Sequence, residues 1–142
     1  MDWSLTPAQE DALCQDALSA RTMAYAPYSR FEVGAAVLCQ DGVVVPGCNV
    51  ENASYGLCIC AERTAISAVV SQGRRAFVAI AVATASSPPS PPCGMCRQVM
   101  AEFGPELPIV LVNPQGERAR HLLSAPLPGM FTPALLAVGR SK

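Results

Sequence analysis

The chain has 142 residues, a formal net charge of −1, 51% apolar residues and only 15% charged ones, against roughly 25% charged in soluble domains generally. That length supports one sizeable core, hence a single domain over residues 1–142, and its ten scattered Lys and Arg leave no electrostatic footprint for a nucleic-acid polymer. The start has an early acid and no apolar run behind a basic segment, and the longest apolar-rich stretch, AFVAIAVATA, is too short to span a bilayer, so a cytoplasmic protein with no membrane partner is expected.

Thr6-Pro7-Ala8-Gln9 reads as a helix start, with Thr6 as N-cap, Pro7 at the first helical position and Gln9 completing a capping box. The helix is expected to run to about Tyr25. FEVGAAVLC and VVVPGC follow as antiparallel strands, joined by an Asp41-Gly42 turn whose two residues would supply the positive φ angles of a tight hairpin. Pro46 implies that the second strand lies at an edge or ends there. After the polar loop NVENASYG, apolar residues at 61, 65, 66, 69 and 70 have helical spacing from Cys60 to Gln72, and Gly73 can cap the end.

FVAIAVATA is apolar on both faces, as in a central strand covered by helices. The proline-rich SSPPSPP then delivers the chain to a helix from about Cys93 to Phe103, closed by Gly104. PIVLVN is another strand, Pro114-Gln115-Gly116 a turn, and Thr132-Pro133 the cap and start of a short last helix. The order α-β-β-α-β-α-β predicts an α/β fold with helices on both faces of a mixed sheet.

Seven cysteines cannot all pair, and reducing cytosol disfavours stable disulfides, so some are expected to bind metal or take part in catalysis. Cys14, Cys39 and Cys48 sit among apolar neighbours and read as buried thiols. Cys60 and Cys93 instead fall where loops become helices, so free backbone N–H groups and the helix dipole favour thiolate. With Cys96 they form C-x32-C-x2-C, three ligands that would leave a tetrahedral zinc one open position, the mark of a catalytic site. Zinc rather than another thiophilic metal follows from ligand type. Two alternatives stand: Cys58 as a fourth ligand closing a structural site, and Cys93/Cys96 as a redox pair.

Glu62, two residues past Cys60, can reach the open position without binding the ion. Zinc lowers the pKa of water there to about 7, and the carboxylate can accept and pass on the proton. Three thiolates outweigh the ion's charge; Arg63 and Arg97 are candidates for hydrogen bonds to the sulfurs, and Gln98 is grouped with them in supporting the charge. His121, the one histidine, reads as a residue outside the site.

C-A-E-R at 60–63 with P-C-x-x-C-R-Q at 92–98 resembles the zinc-dependent deaminases. YAPYSRFEVGAAV, GCNVENASYG and LPGMF extend the likeness over nearly the whole chain to the short-form, homotetrameric cytidine deaminases. The resemblance implies a three-layer α/β/α fold around a mixed sheet of about five strands, one Zn2+ per subunit, and hydrolysis of cytidine and deoxycytidine to uridine, deoxyuridine and ammonia. It implies that Phe31 stacks on the base, that Ala61 offers backbone contacts to the base edge, and that Asn49 and Glu51 hold the ribose 3′-hydroxyl. Tyr55 and Phe131 would complete a neighbouring subunit's pocket. Cysteine rather than histidine at position 60 favours a free nucleoside. Blasticidin S deaminases, the competing branch, lack the acid found here as Glu51. One departure is Glu32, where the family often has proline.

Overall fold

The computed structural model describes residues 3–139. Helix α1 spans Pro7–Arg21, and its capping box forms as expected: Gln9 N donates to Thr6 Oγ1 at 3.2 Å and Thr6 N to Gln9 Oε1 at 2.9 Å. The helix stops four residues short of Tyr25. Thr22 turns its hydroxyl onto Ser19 O at 2.7 Å, and Tyr25 N donates to Asn49 O at 3.0 Å in a bridge to a distant segment.

Strands β1 (Gly34–Cys39) and β2 (Val44–Cys48) form the expected hairpin. Only Gly42 of its turn has positive φ, +85°. The connection is therefore a three-residue loop, with Gly42 N on Cys39 O at 2.9 Å and Cys39 N on Val43 O at 2.9 Å, rather than a two-residue turn with both central residues left-handed. Asp41 instead accepts from Val43 N and pairs with Arg74 at 2.8 Å.

A short 3₁₀ turn (Tyr55–Leu57) precedes α2 (Ala61–Ser71), β3 (Phe77–Ala83), α3 (Gly94–Ala101), β4 (Pro108–Val112), β5 (Arg118–Leu122) and α4 (Pro133–Gly139). The sheet order is β2-β1-β3-β4-β5, with β3 and β4 parallel and every other pair antiparallel. Pro46 lies on an edge strand, where its missing N–H costs no ladder bond. The other edge, β5, was not visible as a strand: RARHL has no apolar alternation, and it is held by pairing with β4 and by Arg118 and Arg120 bonding Glu10 of α1.

Side-chain alternation divides the core into two layers. Ala36, Leu38, Ala79, Ala81 and Val110 face Leu13, Cys14 and Ala17 of α1, while Val37, Ile80, Val82 and Ile109 face Ala65, Val69 and Met100 of α2 and α3. The expected α/β/α architecture, with five strands, is what forms. Two glycines set its spacing. A Cβ at Gly34 would lie 2.1 Å from Ala17 O of α1, and one at Gly47 would lie 2.5 Å from Ala65 N of α2. No helix among the described residues is long and apolar enough to cross a membrane.

Candidate active site

Cys60 is the N-cap of α2 and Cys93 the N-cap of α3, and neither sulfur is used to cap its own helix. Both sulfurs sit at positive helix ends. Cys96, one turn into α3, is fully buried. The three sulfurs lie within 4.8 Å of one another, with Cys60 and Cys93 at 3.8 Å. That matches the ~3.8 Å edge of a tetrahedron with metal–sulfur distances of about 2.3 Å. The donor set therefore fits zinc with one position left over. Cys58 is not part of the group: its sulfur accepts from Asn52 N at 3.3 Å. His121 lies on β5 opposite Ile109, also outside it.

Hydrogen bonding from Cys96 favours thiolate at Cys60 more than any other influence; burial opposes it, Arg63 reinforces it, and the Cys60 pKa is lowered. The same bond and burial push the Cys96 thiol upward. Arg63 donates to Cys60 Sγ at 3.4 Å, as expected. Arg97 does not share that role, because its guanidinium turns to Pro126 O at 3.1 Å. Gln98 likewise donates to Phe131 O at 2.7 Å. Being one and two residues past Cys96, these side chains leave α3 in other directions and tie down the segment before α4 instead of the sulfurs.

Glu62, in the first turn of α2, is 3% exposed. Burial pushes its carboxyl from 4.5 to about 7; the adjacent Cys60 adds to the rise, while a backbone N–H, Cys96 and Arg63 oppose it. It lines a cleft of about 430 Å³ together with Cys60, Cys93, Phe31, Asn49 and Glu51.

Phe31 is half exposed on the cleft wall, and it does not belong to β1 as the FEVGAAVLC pattern predicts. The Asn49 side chain replaces the ladder there, accepting from Val33 N at 2.9 Å and donating to Phe31 O at 2.7 Å. Glu51 braces the preceding loop: Oε1 accepts from Tyr28 N at 2.9 Å and Ser29 N at 3.1 Å, and Oε2 from the Ser29 hydroxyl. The Ser29 hydroxyl and the two backbone donors outweigh desolvation and hold the Glu51 carboxyl below its usual value.

Ala61 is fully buried at the first position of α2. Tyr55 and Phe131 are 74% and 58% exposed and lie outside the cleft, Tyr55 packing edge-on to Tyr28 at 5.9 Å. Sequence reasoning missed Thr84 and Ser90, which line the cleft, and Asn113, which is fully buried behind it. The available signals were a hydroxyl and an amide directly ending two apolar strands.

A buried carboxyl beside three converging cysteine sulfurs, on an α/β/α frame, defines the class of metal-dependent hydrolases. Residues 7–112 match the cytidine and deoxycytidylate deaminase zinc-binding region. The chain is 54% identical over 121 residues to a cytidine deaminase of Halalkalibacterium halodurans, covering 84% of this chain and 92% of the relative. It is 45% identical over 123 residues to one of Sporosarcina psychrophila, covering 86% and 90%. The crystal structure of cytidine deaminase from Burkholderia pseudomallei superposes with a TM-score of 0.84 at 51% identity, covering 89% of this chain and all of that one. The chain belongs to the cytidine and deoxycytidylate deaminase family of zinc enzymes.

Proposed function

We propose that this chain hydrolyses cytidine and deoxycytidine to uridine and deoxyuridine with release of ammonia, as a cytoplasmic enzyme of pyrimidine salvage. The observation that carries this reading is Glu62, buried beside the Cys60/Cys93/Cys96 group in one cleft with Phe31 on its wall. Zinc held by the three sulfurs supplies a Lewis acid that makes water nucleophilic near neutral pH.

Glu62 takes a proton from the attacking water and delivers it to N3 of the base, which makes C4 electrophilic. Once hydroxide has added to C4, the same carboxyl carries the remaining proton of the new C4 hydroxyl to the amino group, so that the C4–N bond breaks, ammonia leaves and the C4 carbonyl forms. Burial raises the proton affinity of the Glu62 carboxyl, which suits a group that holds a proton between two transfers. Phe31 stacks on the pyrimidine, and the backbone of Ala61 meets the base edge. Asn49 and Glu51 fix the sugar 3′-hydroxyl while bracing the loop that carries Phe31. Arg63 offsets thiolate charge at Cys60.

Tyr55 and Phe131 leave large apolar surfaces in water, alongside Leu57 at 65% exposure. We assign them to contacts between copies of the chain, in a homotetramer whose active sites lie at subunit interfaces. Glu51 favours the nucleoside reading over a blasticidin-type substrate, and the absence of Cys58 from the three-sulfur group favours it over a closed structural zinc site.

The deciding experiment follows cytosine absorbance and ammonia together, with cytidine and blasticidin S as parallel substrates. Turnover of cytidine that tracks zinc content supports the proposal, and turnover of the antibiotic alone would replace it.

A further inference from the structure

Cys93 is the exposed member of the sulfur group, whereas Cys96 is fully buried and Cys60 receives a hydrogen bond from Arg63. Cys93 is held on its C-terminal side by α3, with Arg97 N donating to Cys93 O at 3.0 Å, and on its N-terminal side by the chain leading into it. That chain, residues 85–92, contains Pro88, Pro89, Pro91 and Pro92, none of which can donate a backbone hydrogen bond. Among the described residues, two hydrogen bonds reach the backbone of this segment, and both come from side chains. Ser90 N donates to Thr84 Oγ1 at 2.9 Å, and Asn113 Nδ2 donates to Ser86 O at 3.0 Å.

Thr84 and Asn113 directly follow the parallel neighbours β3 and β4, with Thr84 N bonded to Val112 O at 3.1 Å. They are 2% and 0% exposed. Hydroxyls extend the network: Ser86 Oγ lies 3.2 Å from Thr84 Oγ1 and 2.6 Å from Ser90 Oγ. Asn113 is itself fixed by Glu117, donating to Oε1 at 3.0 Å and accepting from Glu117 N at 3.0 Å. Pro89 and Pro92 are buried and anchor the segment by packing. Packing supplies contact without direction, and the two polar side chains supply the direction.

We propose that Thr84 and Asn113 are positioning residues that hold segment 85–92 and, through it, set Cys93 in place as a zinc ligand. This inference rests on the reading of Cys60, Cys93 and Cys96 as the zinc site. The network acts on metal retention: when the segment shifts, the exposed ligand departs first and the other two sulfurs follow.

The test measures zinc release from the purified, zinc-loaded protein into excess chromophoric chelator, beside its melting temperature. Thr84→Val keeps the shape and removes the acceptor; it should release zinc about tenfold faster, at the low end of the 10–100-fold effects of outer-shell partners on metal sites. Thr84→Ser should restore release to near the wild-type rate, and Asn113→Ala should behave like Thr84→Val. Val110→Ala, a core change facing α1, supplies a comparable loss of melting temperature with wild-type release. Release from Thr84→Val at the wild-type rate would overturn the proposal, as would equally fast release from Val110→Ala. Wild-type protein that holds no zinc would instead bring down the metal reading on which the proposal stands, so the two failures are distinct.

Discussion

Arg63 donates to the sulfur of Cys60, three residues earlier on the same helix end, across 3.4 Å. Its charge is set beside the three sulfurs that would hold a single metal ion. Arg63→Gln should keep zinc and lower kcat by about 10–100-fold, the usual cost of losing an outer-shell partner. Zinc content measured beside kcat decides the matter, since a loss of zinc would show that Arg63 maintains the site rather than tuning it.

Glu62→Gln should keep zinc and nucleoside affinity and lose at least about 10²–10⁴-fold in turnover, the range of a positioned acid–base group. Retained activity would remove Glu62 from the mechanism. The same variant has a stability signature in chelator-stripped protein. Burial lifts the folded-state carboxyl from 4.5 to about 7, so the folded chain binds the extra proton and stability falls as pH rises through that window. Melting temperature against pH should slope downward there in the parent and lose that contribution in Glu62→Gln.

Glu51 braces the loop at Tyr28 and Ser29, and substrate analogues separate that task from the sugar contact proposed for it. Glu51→Gln should bind zinc normally and raise KM about 10–100-fold, the worth of a hydrogen bond to a charged group. It should also lose discrimination between cytidine and its 3′-deoxy analogue. Intact discrimination would confine Glu51 to bracing Tyr28 and Ser29.

Glu10 is 2% exposed and accepts from Arg120 at 2.9 Å, Trp3 at 2.9 Å and Arg118 at 3.2 Å. Burial raises its pKa, but the hydrogen bonds from Arg120, Trp3 and Arg118 win and hold it below 4.5. A lowered folded-state pKa contributes stability that is fully present above the unfolded value and lost as pH falls through the folded one. Glu10→Gln should cost about 2 kcal/mol at neutral pH. In denaturant titrations the gap from the parent should begin to narrow near the unfolded value, about pH 4, and close only below the lowered folded-state pKa; a constant gap would contradict the charge argument.

Gly34→Ala would place a methyl 2.1 Å from Ala17 O, backbone that cannot swing aside. It should destabilise by about 1–3 kcal/mol or more through overpacking. Gly104→Ala, whose added carbon would meet nothing nearer than Leu107 Cβ at 4.0 Å, should be close to neutral. Chemical denaturation of the two variants side by side checks the claim that α1 is seated by that glycine.

The sequence by itself determined whatever depends on near neighbours. The Thr6/Gln9 capping box, helical spacing after Cys60, the doubly apolar β3, Pro46 at an edge, and cysteines at two helix starts with Glu62 beside one of them are all encoded within a few residues. Tertiary structure decided what depends on distant partners. Helix α1 ends at Arg21 because Tyr25 pairs with Asn49, and β5 forms because β4 and Glu10 receive it. Arg97 and Gln98 serve the segment from Pro126 to Phe131, and Thr84 and Asn113 take charge of a proline-rich segment that cannot hydrogen-bond much by itself. A side chain's type is local information, but its hydrogen-bond partner is chosen by packing, which brings together residues dozens of positions apart.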